Sequence, residues 1–288
     1  MAWLYLLSCV ILMASSSILG ALYNRKNAGV PGSAPLYNFV QMCATFACWA
    51  VIFAFDRSAA AGVLPYALLF ALFYTVCMAG MINALKTGPV VFTSLILQLS
   101  LIGVAVWGFF FWDEPIRLRT AAGLALVVFA LWMCLYGGKS EKKSFGGKWL
   151  FFVFIMFVGN AGCSIVQRTQ QTAFDGRYGA FLMFVATGIS ALFCAVLYAR
   201  SDRSQTRLLF RTSAWLPVLS GAGGAVLNLF VILLASTALS PSLIYPVIAV
   251  GGIAVNTLFS ALVFREKLRW WQWAGVAVGA LATWLLSM

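Results

Sequence analysis

Apolar runs long enough to cross a bilayer recur ten times along this 288-residue chain. They lie near residues 3–23, 34–55, 64–85, 89–111, 117–136, 148–169, 178–199, 213–235, 241–263 and 271–287. A hydrocarbon core of about 30 Å takes about 20 apolar residues in helical form. Within lipid the backbone must satisfy its own hydrogen bonds, so a spanning segment is a helix or part of a closed barrel. The runs here are continuous rather than alternating, which excludes barrel strands. Charged residues make up 9% of the chain, against roughly 25% in a soluble domain, and they fall in connections or at span ends. Pro35, Pro65, Pro89, Pro115, Pro217 and Pro241 sit near proposed helix starts, where a missing N–H costs little. The expected fold is all-α: a polytopic membrane protein of ten transmembrane helices. Met1 to Ala21 is apolar from its start, with no basic leader, and reads as the first span rather than a signal peptide.

The same inventory removes whole classes of chemistry. There is no His, hence neither the commonest general base nor the commonest metal ligand. The seven cysteines (Cys9, Cys43, Cys48, Cys77, Cys134, Cys163 and Cys194) all lie in apolar stretches and form no C-x-x-C pair. They read as small buried apolar residues, not as disulfides or a zinc site. No cofactor and no metal is expected. The net charge of +12 is a topology signal here rather than a nucleic-acid footprint. The odd-numbered connections between spans hold 14 of the Lys and Arg residues and the even-numbered ones hold 5. Basic residues accumulate on the cytoplasmic side, so both termini are expected outside, with the chain in a bacterial plasma membrane.

Comparing the chain with itself exposes a duplication. A shift of 152 positions pairs Pro89 with Pro241, Glu114 with Glu266, Arg117 with Arg269, Gly123 with Gly275 and Trp132 with Trp284. The longest polar stretch, 139–147, separates the halves 1–138 and 148–288. Five spans per half is odd, so the two copies are expected to lie inverted in the bilayer. Inverted repeats are characteristic of secondary transporters, with the substrate site near the midplane where they meet.

Two stretches at span junctions, Ala84-Leu85-Lys86-Thr87-Gly88-Pro89 and Ala238-Leu239-Ser240-Pro241, combine with two at span ends, Trp112-Asp113-Glu114-Pro115 and Phe264-Arg265-Glu266-Lys267. In these and in its ten spans the chain resembles the drug/metabolite transporter superfamily, with an EamA-like domain present twice. The resemblance implies carriage of a small metabolite or drug through a central cavity among spans one, three, four, six, eight and nine. The related four-span multidrug exporters carry a membrane-embedded Glu in their first helix. Neither Trp3–Tyr23 nor Lys148–Thr169 holds an acidic residue, which speaks against proton/drug exchange of that type.

No span carries a charge near its centre, so recognition falls to neutral polar groups. The candidate substrate-binding residues are Gln98, Asn83, Asn160, Asn228, Tyr245, Tyr74, Ser94, Gln167 and Asn256. An amide in hydrocarbon is costly unless partnered, so each faces a cavity or another helix. Gln98 leads, being mid-span and able both to donate and to accept. Pro246 lies inside span nine and marks a hinge, while Glu114 and Glu266 at the membrane edges are gating candidates or helix-end groups. Trp112, Trp149, Trp215, Trp270, Trp271 and Trp273 read as interfacial belts. Gly275 and Gly279 form a GxxxG face whose partner is span five of the same chain or a second copy, so a homodimer stays open. These features point to alternating-access transport of a neutral, zwitterionic or quaternary-ammonium solute rather than a phosphorylated one, with the lipid bilayer as surroundings and no nucleic acid. The alternatives are a non-transporting scaffold and an intramembrane enzyme on lipid-linked substrates. The latter lacks a visible nucleophile or acid–base pair, so no enzymatic activity and no catalytic residue is expected.

Overall fold

The computed structural model describes residues 2–88, 90–112, 118–136, 146–235, 237, 239, 241–263 and 270–287. Among them the chain forms α1 (Ala2–Lys26), α2 (Ser33–Asp56), α3 (Leu64–Thr87), α4 (Val90–Phe111), α5 (Leu118–Tyr136), α6 (Gly147–Ala173), α7 (Gly179–Ala199), α8 (Thr206–Ser213), α9 (Trp215–Ala235), α10 (Pro241–Val263) and α11 (Trp270–Ser287). No strand occurs among the described residues. Among the described residues six segments are long and apolar enough to cross a membrane: α1, α2, α3 with its leading 3₁₀ turn, α6, α7 and α9. Their outward faces are apolar, with Leu4, Phe55, Leu68, Phe154 and Leu192 exposed. Water would not support such a surface over a packed core; lipid does. The chain is a helical, polytopic membrane protein.

The helix bounds follow the apolar runs within a few residues, and α6 continues about one turn past its run. The eight-residue α8 was not expected. It places Leu209 in the core and Leu208 and Phe210 outside, between Arg207 and Arg211, the pattern of a helix lying along an interface.

The most extensive packing joins α3 with α6, α5 with α11, α1 with α9, α2 with α7 and α4 with α10. Further contacts join α2 with α9, α3 with α7, α1 with α10 and α4 with α6. Small residues permit the closest of these approaches. A Cβ on Gly80 would lie 2.9 Å from both Met156 N and Phe152 O, and one on Gly159 2.8 Å from Cys77 N and Phe73 O. Gly279 of α11 faces Val250 and Ala130 of the same chain, so that part of the GxxxG face is occupied internally.

The described connections between α1 and α3 and between α6 and α9 sort to two ends. At one, Lys26 Nζ donates to Thr212 O, Ser213 Oγ donates to Asn27 Oδ1 at 3.2 Å, and Asn24 Nδ2 donates to Ile82 O at 3.2 Å. Gly32, with φ 70°, lies there against the backbone of Asp202. At the other end Tyr66, following the α2–α3 connection, meets Phe174 edge to face at 6.0 Å. Trp149 departs from the interfacial expectation. It is buried, packs on Gly88 and donates its Nε1–H to Thr93 Oγ1 at 3.0 Å. An indole with its N–H bonded inside the protein has no need of the headgroup layer.

Candidate functional site

A cavity opens where α1, α2, α3, α4, α6, α9 and α10 converge. Its empty space, counting the part open to solvent, is about 800 Å³. Mid-helix segments build most of it: Met13 and Ser16 of α1, the stretch from Phe70 to Met81 of α3, Asn160 to Gln167 of α6, and Gly224 to Val231 of α9. In α3, α6 and α9 the lining residues follow helical spacing. Phe70, Tyr74, Met78 and Met81 share one face of α3, and Asn160, Cys163, Ser164 and Gln167 one face of α6. These stripes break the rule of apolar contact only at amides, hydroxyls and thioethers, and no described lining residue is charged.

Of the residues named from sequence, Tyr74, Asn160, Gln167, Asn228 and Tyr245 converge on this cavity. Asn160 Nδ2 donates to Ser100 Oγ at 2.7 Å and to Leu97 O at 3.4 Å, anchoring α6 to α4. Asn228 Nδ2 is returned to its own helix at Gly224 O, 2.9 Å away, which leaves its carbonyl oxygen as the end available for other partners. Gln167 is buried with Nε2 4.0 Å from Met183 Sδ, a weak contact for an amide. Asn83 does not line the cavity; its Nδ2 donates to Ala79 O in the preceding turn at 2.8 Å. The side chains of Ser94, Gln98, Pro246 and Asn256, and all of Glu114 and Glu266, lie outside the described residues. Leu97, beside Gln98, does line the cavity, and α10 is helical through position 246.

Three polar residues of the lining were not expected: Ser16, Ser164 and Gln41. Gln41 is 2% exposed. Its Nε2 donates to Ser220 Oγ at 3.2 Å and points to Met78 Sδ at 3.5 Å. Ser220 Oγ in turn shares a hydrogen bond with Ser16 Oγ at 3.2 Å. Beside this network Thr45 Oγ1 donates to Gly221 O at 3.0 Å and to Gln41 O at 2.9 Å. The junction depends on Gly221, where a Cβ would lie 2.3 Å from Gln41 O. Gln41 Oε1 is buried and has no protein partner. The signal for Gln41 was present in the sequence as an amide inside the 34–55 run.

Among the described residues the site is an uncharged chamber lined by apolar and neutral polar groups. The thiols at Cys9, Cys43, Cys48, Cys77, Cys163 and Cys194 are free, and among the described residues no group of His, Cys, Asp and Glu is placed to hold a metal. Tyr74, Tyr245 and Phe70 supply aromatic faces, while Met13, Met78 and Met81 supply polarizable, adaptable packing.

No family model and no curated protein matches the sequence. Among solved structures, 28 chains match. One of them, described only as "Crystal structure of protein", superposes with a TM-score of 0.67 at 14% identity, covering 98% of this chain and 98% of that one. The similarity therefore extends over the whole fold, and at that identity it speaks to the fold alone.

Proposed function

We propose that this protein is a ten-span secondary transporter of the drug/metabolite transporter type, moving a small organic solute by alternating access through the central cavity. Two inverted five-helix units build it, the first from α1 to α5 and the second from α6, α7, α9, α10 and α11. The helix pairings support this reading, because exchanging the units maps the main contacts onto one another. The α1–α9 pair becomes α6–α3, α2–α9 becomes α7–α3, and α1–α10 becomes α6–α4, while α2–α7, α4–α10 and α5–α11 map onto themselves. One pair of hydrogen bonds repeats the exchange: Thr45 Oγ1 to Gly221 O links α2 with α9, and Ser190 Oγ to Ala71 O links α7 with α3. Two-fold exchange of this kind is the mechanical basis of alternating access.

The observation that carries the proposal is the cavity, lined from both units by neutral polar groups at membrane depth. A passage without fixed charge suits a neutral or singly charged organic solute and gives a phosphate ester no bidentate partner. Solute counterflow in proteoliposomes tests this. Vesicles preloaded with a carried solute are expected to accumulate the labelled form transiently, and empty-loaded vesicles are not. A scaffold or a lipid-modifying enzyme gives no counterflow with any member of a metabolite library, and that outcome would overturn the proposal.

A further inference from the structure

One end of the bundle is basic and apolar at once. It holds the α1–α2 connection and the stretch from α7 to α9. Between Arg200 and Arg211 the chain carries four arginines, Arg200, Arg203, Arg207 and Arg211, against one carboxylate, Asp202. All four arginines are exposed. Asp202 Oδ1 accepts the Ser204 N–H at 2.8 Å instead of a guanidinium. At the opposite end the α2–α3 and α6–α7 connections hold one Asp for each Arg: Asp56 with Arg57, and Asp175 with Arg177. Among these described connections the excess of positive charge gathers around α8.

Helical spacing sorts the residues of α8 by face. Leu209 and Ser213 are buried, Leu209 against Leu36 and Val40 of α2. Arg207 and Arg211, one turn apart, lie together on the opposite face. Leu208 and Phe210 stand exposed on the flanks between. In the connection before α8, Arg203 lies over the Tyr198 ring, 5.6 Å from its centroid. Tyr198 is itself fixed, stacked on Phe39 at 5.4 Å and sharing a hydrogen bond with Thr206 Oγ1 at 2.6 Å. Water gives Leu208 and Phe210 no partner, and hydrocarbon gives the arginines none. The layer where acyl chains meet headgroups supplies both.

We propose that this arginine edge binds anionic phospholipid, the headgroup phosphate lying on the Arg207–Arg211 face and the acyl chains alongside Leu208 and Phe210. Guanidinium groups match phosphate oxygens in charge and in fork geometry. A zwitterionic lipid returns a cation to a site already rich in them, so a net negative headgroup is preferred. Basic residues on an amphipathic helix beside a spanning segment recognise anionic lipid in this way. The bound lipid ties α8, and through it α2 and α9, to one leaflet. The proposal rests on the fold and its charges, and it stands whether or not a solute is carried.

The test is native mass spectrometry of the detergent-solubilised full chain, titrated with phosphatidylglycerol or with phosphatidylcholine of the same acyl chains. Phosphatidylglycerol is expected to bind about tenfold more tightly. Arg207→Gln/Arg211→Gln is expected to remove that preference, to leave phosphatidylcholine binding in place, and to keep the lipid-free melting temperature, because both side chains are exposed. Arg57→Gln/Arg177→Gln, the same charge change at the other end, is expected to keep the preference. Equal binding of the two lipids by the unmodified protein would overturn the assignment, as would a preference that survives Arg207→Gln/Arg211→Gln or one lost equally in Arg57→Gln/Arg177→Gln. Glycerol 3-phosphate serves as the chain-free headgroup. If it binds as tightly as phosphatidylglycerol, the edge is a site for soluble anions and the lipid assignment fails. Should a variant not fold, salt decides on the unmodified protein. Raising ammonium acetate from about 0.05 M to about 0.5 M shortens the reach of exposed charges and is expected to abolish the preference; a preference indifferent to salt would contradict it.

Discussion

At the residue scale, membrane depth makes each polar side chain a choice between holding helices together and facing the cavity, and hydrogen-bond partners reveal which was taken. Asn83 is committed to its own helix through Ala79 O. Asn160 does both: it ties α6 to Ser100 of α4 and borders the cavity. Asn160→Ala is therefore expected to lower stability by about 1 kcal/mol, the measure of one interhelical hydrogen bond in a membrane, and to reduce solute affinity as well. A chemical-denaturation curve and a titration on the same preparation check the two effects. Loss of stability with affinity intact would make it helix glue alone. Sequence could nominate Tyr74, Asn160, Gln167, Asn228 and Tyr245, because an amide or phenol within an apolar run must find a partner or a cavity. It could not separate them from Asn83, whose partner is one turn back in its own helix. Ser16 sits among three consecutive serines, and such hydroxyls commonly bond the carbonyl four residues earlier, as Ser15 does to Ile11 O. That habit hides which of the three turns inward. Gln41 was legible by the same rule as Asn160, but the resemblance placed the cavity among six spans that exclude its own.

At the element scale, hydropathy located the long helices well, because lipid imposes length and apolarity on each segment independently of its neighbours. It could not show α8, whose eight residues are amphipathic and too few to register against the run beside them. Nor could it show which helices touch, since a lipid-facing Leu and a packed Leu read alike. Glycine carries that information once the structure is known. Gly80 and Gly159 let α3 and α6 approach until their backbones meet, so Gly159→Ala inserts a methyl 2.8 Å from Cys77 N and Phe73 O. Backbone cannot swing aside as a side chain does. The substitution is expected to cost about 1–3 kcal/mol, read as an earlier unfolding midpoint. Gly146→Ala, with nothing within 4 Å, is expected to leave the midpoint in place. Equal midpoints for the two variants would contradict the close approach.

At the scale of the whole molecule, the described helices pair reciprocally across the fold, as the proposed inverted duplication requires. In the transport reading proposed above, the reciprocal pairings supply two interconvertible arrangements. Central to the account is a cavity that opens alternately to the two sides of the membrane. Asn160→Cys, in a chain whose seven native cysteines are replaced by Ala or Ser, places one thiol on the cavity wall. Its reaction with a membrane-impermeant thiol reagent, added to one side or the other of sealed vesicles, is the direct measurement. Labelling from both sides, slowed in each case by a carried solute, is the predicted result. Labelling from neither side, or a rate that no carried solute changes, would contradict it.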